Sequence, residues 1–339
     1  MRRLKKTALV LAALLTAGEL GVRALDALKG GTGSLYDHIV LGPPGTRFRL
    51  RSGTVTVPER YGNIVYHLNR SGYRDGEPQP GTRRIVLLGD SVSFSLGVDQ
   101  DKIYPALLEK RLGPSWDVVN LAVFAYNTAD ERATLQEEGL KLRPELVILQ
   151  FYMNDFSVPA PDGSKPKPPG LLTRLAALKN RLVYKSALYR RLYQAGTGLT
   201  FHLLHDVRRR RFPESLNADE PRHKLAYLAA TGDDAAVAAF REIREIHRLT
   251  WAAGARLLVV LSPDEVQLFT PRYDAINKRF RAFCRRERIG LFDPLPALRA
   301  DPDPVRLLND GVHYSPEGHA VIARLLHEEL IRRGLLPPV

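Results

Sequence analysis

An α/β fold built on a parallel sheet is the architecture this sequence predicts, and three observations predict it. Short apolar runs alternate with amphipathic helical stretches along most of the chain. The runs lack the polar alternation of a half-exposed strand, which suits strands buried on both faces. Several of them end in small or polar residues, at the carboxyl edge where open α/β sheets gather their ligands. Joined by right-handed crossovers, this order places helices on both faces of the sheet.

Composition sets the bounds. With 339 residues, 44% hydrophobic and 26% charged, the chain can bury a large core. Its single cysteine, Cys284, excludes an internal disulfide and a multi-cysteine metal site. The spacing of Cys284 from Phe280 and Phe283 reads as that of a core or half-buried thiol. The net charge of +13 is unevenly spread. Between Lys165 and Lys224 stand 14 Lys or Arg against four Asp or Glu, and Arg2, Arg3, Lys5 and Lys6 add more. The remainder is near neutral, so no nucleic-acid partner is expected.

Taken in order, residues 1–29 open with a basic segment and an uncharged apolar stretch, Thr7 to Gly18. That is the layout of a signal peptide or a retained N-terminal anchor, with the body outside the cytoplasmic membrane, in the periplasm or cell envelope. Twelve residues fall short of the roughly 20 that a spanning helix needs, although LGVRALDAL could lengthen the helix. Residues 30–82 read as a small β-rich appendage: Phe48–Arg51, Thr54–Val57 and Ile64–Asn69 alternate apolar and polar. Residues 83–339 form the main domain. Its five strands are Ile85–Leu88, Asp117–Leu121, Glu145–Phe151, Arg256–Leu261 and Ile289–Phe292. Its helices are Tyr104–Leu112, Ala129–Lys141, Ala235–Ala252, Tyr273–Glu287 and Pro316–Arg332. In Ala235–Ala252 the apolar residues Val237, Phe240, Ile243, Ile246 and Leu249 recur three apart.

One segment, 159–233, interrupts the alternation. It begins as a Pro-rich linker and continues as a basic helical insertion over Leu171–Tyr193, with a four-arginine run at Arg208–Arg211. A solvated helical insertion, a lid over the site, and a contact with anionic lipid or polysaccharide are the alternatives for it.

Four stretches carry chemistry. Gly89-Asp90-Ser91 ends the first strand and offers a hydroxyl. Such a hydroxyl is a poor nucleophile without an adjacent base. His313 can act as that base, because imidazole titrates near neutral pH. Asp310, three residues away, can hold the ring nitrogen turned from the serine, which gives the logic of a Ser-His-Asp triad. A developing oxyanion needs fixed donors. The side-chain amide of Asn154 and the backbone N–H groups of Ser91 and Ala125 stand at strand ends to supply them. Asp90, Tyr152 and Asp155 flank these groups and are expected on the substrate side. Taken alone, Asp310-x-x-His313 fits a helix cap equally well, and Asn154-Asp155 fits a turn. Asp90 and Asp155 come with no histidine cluster, so no metal is expected. His319 reads as a packed residue of the last helix.

Together the four stretches resemble the four sequence blocks of the SGNH, or GDSL, hydrolase superfamily. Gly89-Asp90-Ser91 corresponds to the first block, Ala125 to the glycine of the second, Asn154-Asp155 to the third, and Asp310-Gly311-Val312-His313 to the last. The resemblance implies a three-layer α/β/α flavodoxin-like fold and ester hydrolysis with no cofactor. It also implies Ser91 as nucleophile, His313 as base and Asp310 as its partner. Two positions depart from the pattern: Ala125 stands for a glycine, and Tyr152 replaces the glycine that begins the third block. The expected activity is a carboxylester hydrolase acting on a small-molecule or glycan ester, such as glycan O-acetyl groups or a short-chain lipid ester. The alternatives are an O-acyltransferase acting on an envelope polysaccharide with the same site, and a non-catalytic module that grips a polyanion or a membrane surface.

Overall fold

A computed structural model describes residues 2–28, 35–41, 47–59, 62–157, 186, 188–189, 192, 233–269 and 274–336. The expected insertion 159–233, with its basic helix and arginine run, lies almost wholly outside the described residues. Two compact units divide the chain. The larger comprises Leu41–Gly53, Tyr66–Asp162 and Asn217–Val339, and the smaller Met1–Val40, Thr54–Val65 and Gly163–Leu216.

The smaller unit holds α1, Arg2–Leu28, so the basic segment, the apolar stretch and its extension form one helix. Val10, Leu14, Leu15, Leu20 and Leu25 of α1 are exposed. Among the described residues no helix is long and apolar enough to cross a membrane. The expected appendage contains four short strands, β1 (Ile39–Val40), β2 (Arg49–Leu50), β3 (Gly53–Glu59) and β4 (Gly62–Leu68), of which β3 pairs with β4.

The larger unit is organised by a five-stranded sheet: β5 (Arg83–Leu88), β6 (Trp116–Asn120), β7 (Leu146–Phe151), β8 (Arg256–Leu261) and β9 (Gly290–Phe292). Every pairing is parallel and the order is β6-β5-β7-β8-β9. Counted within the sheet this is 2-1-3-4-5, the flavodoxin-like order. The five expected strands are all present, with ends shifted by no more than two residues. Buried residues run without a break through β6 and β7, as helices on both faces require.

Two helix pairs cover the sheet. Helix α3 (Tyr104–Leu112) packs on the closing helix Pro316–Arg332, and α4 (Thr128–Glu137) packs on α5 (Asp233–Ala252). Helix α4 ends four residues before the expected Lys141. Glu138 leaves helical angles, and Gly139 sits against Leu135, Val86 and Leu121, where a Cβ would lie 3.0 Å from the Leu135 side chain. In α5 the buried stripe is Ala236, Ala239, Phe240, Ile243 and Ile246. Val237, the first of the apolar residues that recur three apart, is 60% exposed. A spacing of three lags a 3.6-residue turn by about 60° at each step, so a run of threes rotates off one face. Three short helices went unforeseen: α2 (Ser91–Phe94), α6 (Glu265–Phe269) and α8 (Leu295–Arg299). Between the last two lies α7 (Asp274–Glu287), and the closing helix Pro316–Arg332 is α9. Phe151, Phe156, Phe240, Phe280 and Phe283 pack ring on ring between β7, α5 and α7. Cys284 is buried beside them, and burial pushes its thiol up to about 12.

Candidate active site

Strand β5 delivers its chain to a turn so closely lined that any side chain at Gly89 would displace its neighbours. A Cβ on Gly89 would lie 2.6 Å from Gln150 Oε1 and 2.8 Å from Ser93 Oγ. Asp90 then caps α2, its Oδ1 accepting from the Val92 N–H at 2.9 Å. Ser91 is the first residue of that helix and is partly exposed. The helix ends at Ser95, whose φ of 65° is left-handed. Arg74, fully buried, holds this end: its guanidinium donates to the carbonyls of Phe94, at 2.8 Å, and of Ser95 and Val98, and lies 4.3 Å above the Tyr66 ring.

The loop before α9 brings the other partners. Asn309 N–H donates to the His313 carbonyl at 2.8 Å, and Glu265 N–H to the Gly311 carbonyl at 2.7 Å. Asp310 Oδ1 accepts from the His313 and Val312 N–H groups, at 2.8 and 3.1 Å. Its Oδ2 lies 2.7 Å from His313 Nδ1, and His313 Nε2 lies 2.9 Å from Ser91 Oγ. A carboxylate can only accept, so it places the ring proton on Nδ1 and leaves Nε2 to accept from the serine O–H. Burial works to raise the Asp310 pKa. The hydrogen bond and charge of His313 and the two N–H donors outweigh it, and the carboxyl is held below its ordinary value. Ser91, His313 and Asp310 thus form one unbroken hydrogen-bonded line. Such a line can activate a hydroxyl for attack on an acyl carbon.

Asn154 sits in the 3₁₀ turn Met153–Ser157 that follows β7. Strands β5 and β7 are neighbours, so the amide comes beside the Ser91 turn, where Nδ2 donates to Asp90 Oδ2 at 2.8 Å. Ala125 follows β6, in a loop tied to the turn by the Val123 N–H, which donates to the Gly89 carbonyl at 3.1 Å. Its φ is 61°, the left-handed region that glycine occupies freely.

Two expectations are corrected. Asp90 and Asp155 have no exposed surface, so neither meets substrate. Asp155 Oδ2 accepts from the Tyr152 N–H at 2.8 Å and closes the Asn154 turn. Burial drives the carboxyls of Asp155 and Glu131 well upward; the charge of Asp90 raises both further, and that of Asp155 adds to Glu131. Tyr152 is buried, its phenol beside Asp264, Asp90 and Asp310. His319 is packed, as expected.

Gln150 escaped notice in the sequence. It accepts from the Asp90 N–H at 3.3 Å and from Ser93 Oγ at 3.0 Å, and so supports the turn from below. The signal was available: Gln150 is the one polar residue of LVILQF. Among the described residues no group of three or more His, Cys, Asp or Glu is placed to hold a metal ion.

A five-stranded parallel sheet in flavodoxin-like order, with a serine–histidine–aspartate line at its carboxyl edge, defines a three-layer α/β/α protein of the hydrolase type. The chain belongs to the GDSL-like lipase/acylhydrolase family, whose pattern matches residues 87–321. It is 32% identical over 80 residues to the esterase TesA of Pseudomonas aeruginosa; the matched part spans 23% of this chain and 40% of that esterase. Among solved structures, TesA is similar over 75% of this chain and all of its own, at 18% identity and a TM-score of 0.43. The lipase/acylhydrolase from Enterococcus faecalis is similar over 74% of this chain and 97% of its own, at 16% identity and a TM-score of 0.43.

Proposed function

We propose that the protein is a serine carboxylester hydrolase in which Ser91 is the nucleophile, His313 the general base and Asp310 the partner that orients it. The observation that carries this reading is the hydrogen-bonded line from Ser91 Oγ through His313 to Asp310. Ser91 Oγ bonds to the acyl carbon as its proton passes to His313 Nε2. The Ser91 and Ala125 N–H groups and the Asn154 amide receive the oxyanion. The alcohol leaves with the proton from His313. Water then gives a proton to His313, attacks the acyl enzyme and releases the acid, and His313 returns the proton to Ser91.

Small acyl groups fit this reading best, as O-acetyl on a glycan or a short-chain lipid ester. Tyr152, which keeps 9% of its surface exposed and stands where the family pattern has glycine, supports a narrow site. The basic start and exposed apolar residues of α1 support contact with a membrane surface and a body outside the cytoplasmic membrane.

The test uses a chromogenic acetyl ester and a fluorophosphonate probe. Ser91→Ala should lower kcat/KM by at least ~10³-fold and abolish labelling. Equal rates for variant and wild type would sink the assignment. Acyl transfer to a saccharide under conditions of negligible hydrolysis would instead favour an O-acyltransferase with the same site.

A further inference from the structure

Resting on that reading, we propose that Asp90 is a positioning residue for the oxyanion donor: its buried carboxylate fixes the side-chain amide of Asn154 beside Ser91. Asp90 has no exposed surface, and both of its oxygens are engaged within the protein. Oδ1 caps the Val92 N–H at 2.9 Å, and Oδ2 accepts from Asn154 Nδ2 at 2.8 Å. An amide nitrogen carries two hydrogens in one plane. With one given to Asp90, the direction of the other is set.

The same contact decides which way the amide faces. Asn154 Oδ1 is buried and meets no partner among the described residues. Turned by 180°, the amide would set that oxygen against the Asp90 carboxylate, acceptor facing acceptor. Among the described residues Oδ1 has no hydrogen bond to lose in such a flip, so the orientation of the donor rests on its contact with Asp90. Asp90 also caps the helix that begins with Ser91. One residue therefore sets the place of both the nucleophile and a donor for the charge that its attack creates. Donors fixed before the reaction are worth most, because nothing then reorganises as charge develops.

Two variants test this. Asp90→Asn keeps the size and, through its carbonyl oxygen, the Val92 cap, but it turns an NH2 toward the NH2 of Asn154. Asp90→Ser keeps a capping oxygen and is too short to reach Asn154. For each, kcat on the acetyl ester and the fluorophosphonate labelling rate of Ser91 should both fall about 10- to 100-fold, with KM within about threefold of wild type, while Asn154→Ala falls about 10²- to 10³-fold. Added to Asn154→Ala, either Asp90 variant should cost less than about threefold more, since no donor is left to position. Thermal melting establishes which variants are folded. Wild-type kcat and labelling in a folded Asp90 variant overturn the proposal, and so does a loss that adds in full to that of Asn154→Ala. An inactive Ser91→Ala beside unaffected Asp90 variants defeats this inference alone. A fully active Ser91→Ala, or a wild type that neither hydrolyses nor labels, defeats the hydrolase reading and this inference with it.

Discussion

Replacing His319 with glutamine removes a titration that the fold suppresses. His319 has no exposed surface. Its Nδ1 accepts from the Tyr104 N–H at 3.2 Å. The ring stacks on Tyr104, with centroids 5.9 Å apart, and meets Tyr314 nearly edge-on at 5.6 Å. With Nδ1 accepting, the proton sits on Nε2, which meets no partner among the described residues. A second proton would make a buried cation. Burial, helped by the charges of Arg74 and His313, pushes the pKa from 6.5 down to about 3. The folded value lies below the unfolded one, so the unfolded chain takes the proton first. The stability at stake is present above about pH 6.5 and is lost as pH falls toward 3. The whole gap corresponds to about 5 kcal/mol, of which about 2 kcal/mol is gone at pH 5. His319→Gln keeps an acceptor for Tyr104 and cannot titrate. Urea unfolding at pH 8 and pH 5 should therefore show wild type losing about 2 kcal/mol more than the variant over that interval. Asp75, pushed up to about 7 chiefly by burial, titrates in the opposite sense over much of the same range. It is present in both proteins and cancels in the difference. Two curves separated by a constant would refute the reasoning, because a lost packing contact shifts stability equally at every pH.

Two further predictions concern the frame around Ser91. Ala125→Gly relieves a left-handed alanine that costs about 1–2 kcal/mol, against roughly 0.5–1 kcal/mol of added unfolded-state entropy. The variant should be as stable as wild type or about 0.5 kcal/mol more so, with kcat/KM within about twofold; a loss above about 1 kcal/mol in urea unfolding contradicts the strain argument. Arg74→Lys replaces a planar fork serving three carbonyls with a single ammonium. It should lower stability by about 3 kcal/mol and slow fluorophosphonate labelling of Ser91, and a stability loss under about 1 kcal/mol counts against the clamp.

What the sequence disclosed and what it hid divide along a physical line. Ser91, Asn154, Asp310 and His313 are legible because each stands just past a strand or on one short loop, and in a parallel sheet the carboxyl ends of all strands share an edge. Their meeting therefore follows from topology, without knowledge of packing. Arg74 gives no such sign: its partners are carbonyls 20 to 24 residues away, and a carbonyl is common to every residue. Asp90 and Asp155 misled for a related reason. Adjacency to Ser91 and Asn154 suggests the substrate side, but in a turn successive side chains point in different directions, and both carboxylates point inward. The inward ones have work to do there. The Val92 N–H, the Tyr152 N–H and the Asn154 amide, from which they accept, belong to the turn after β5 or the turn after β7. The polar layer behind the site thus joins two neighbouring strand ends into one frame. Substitutions within that layer should therefore register first as lost rate, since what it fixes is the position of the hydroxyl and of the amide that receives the charge.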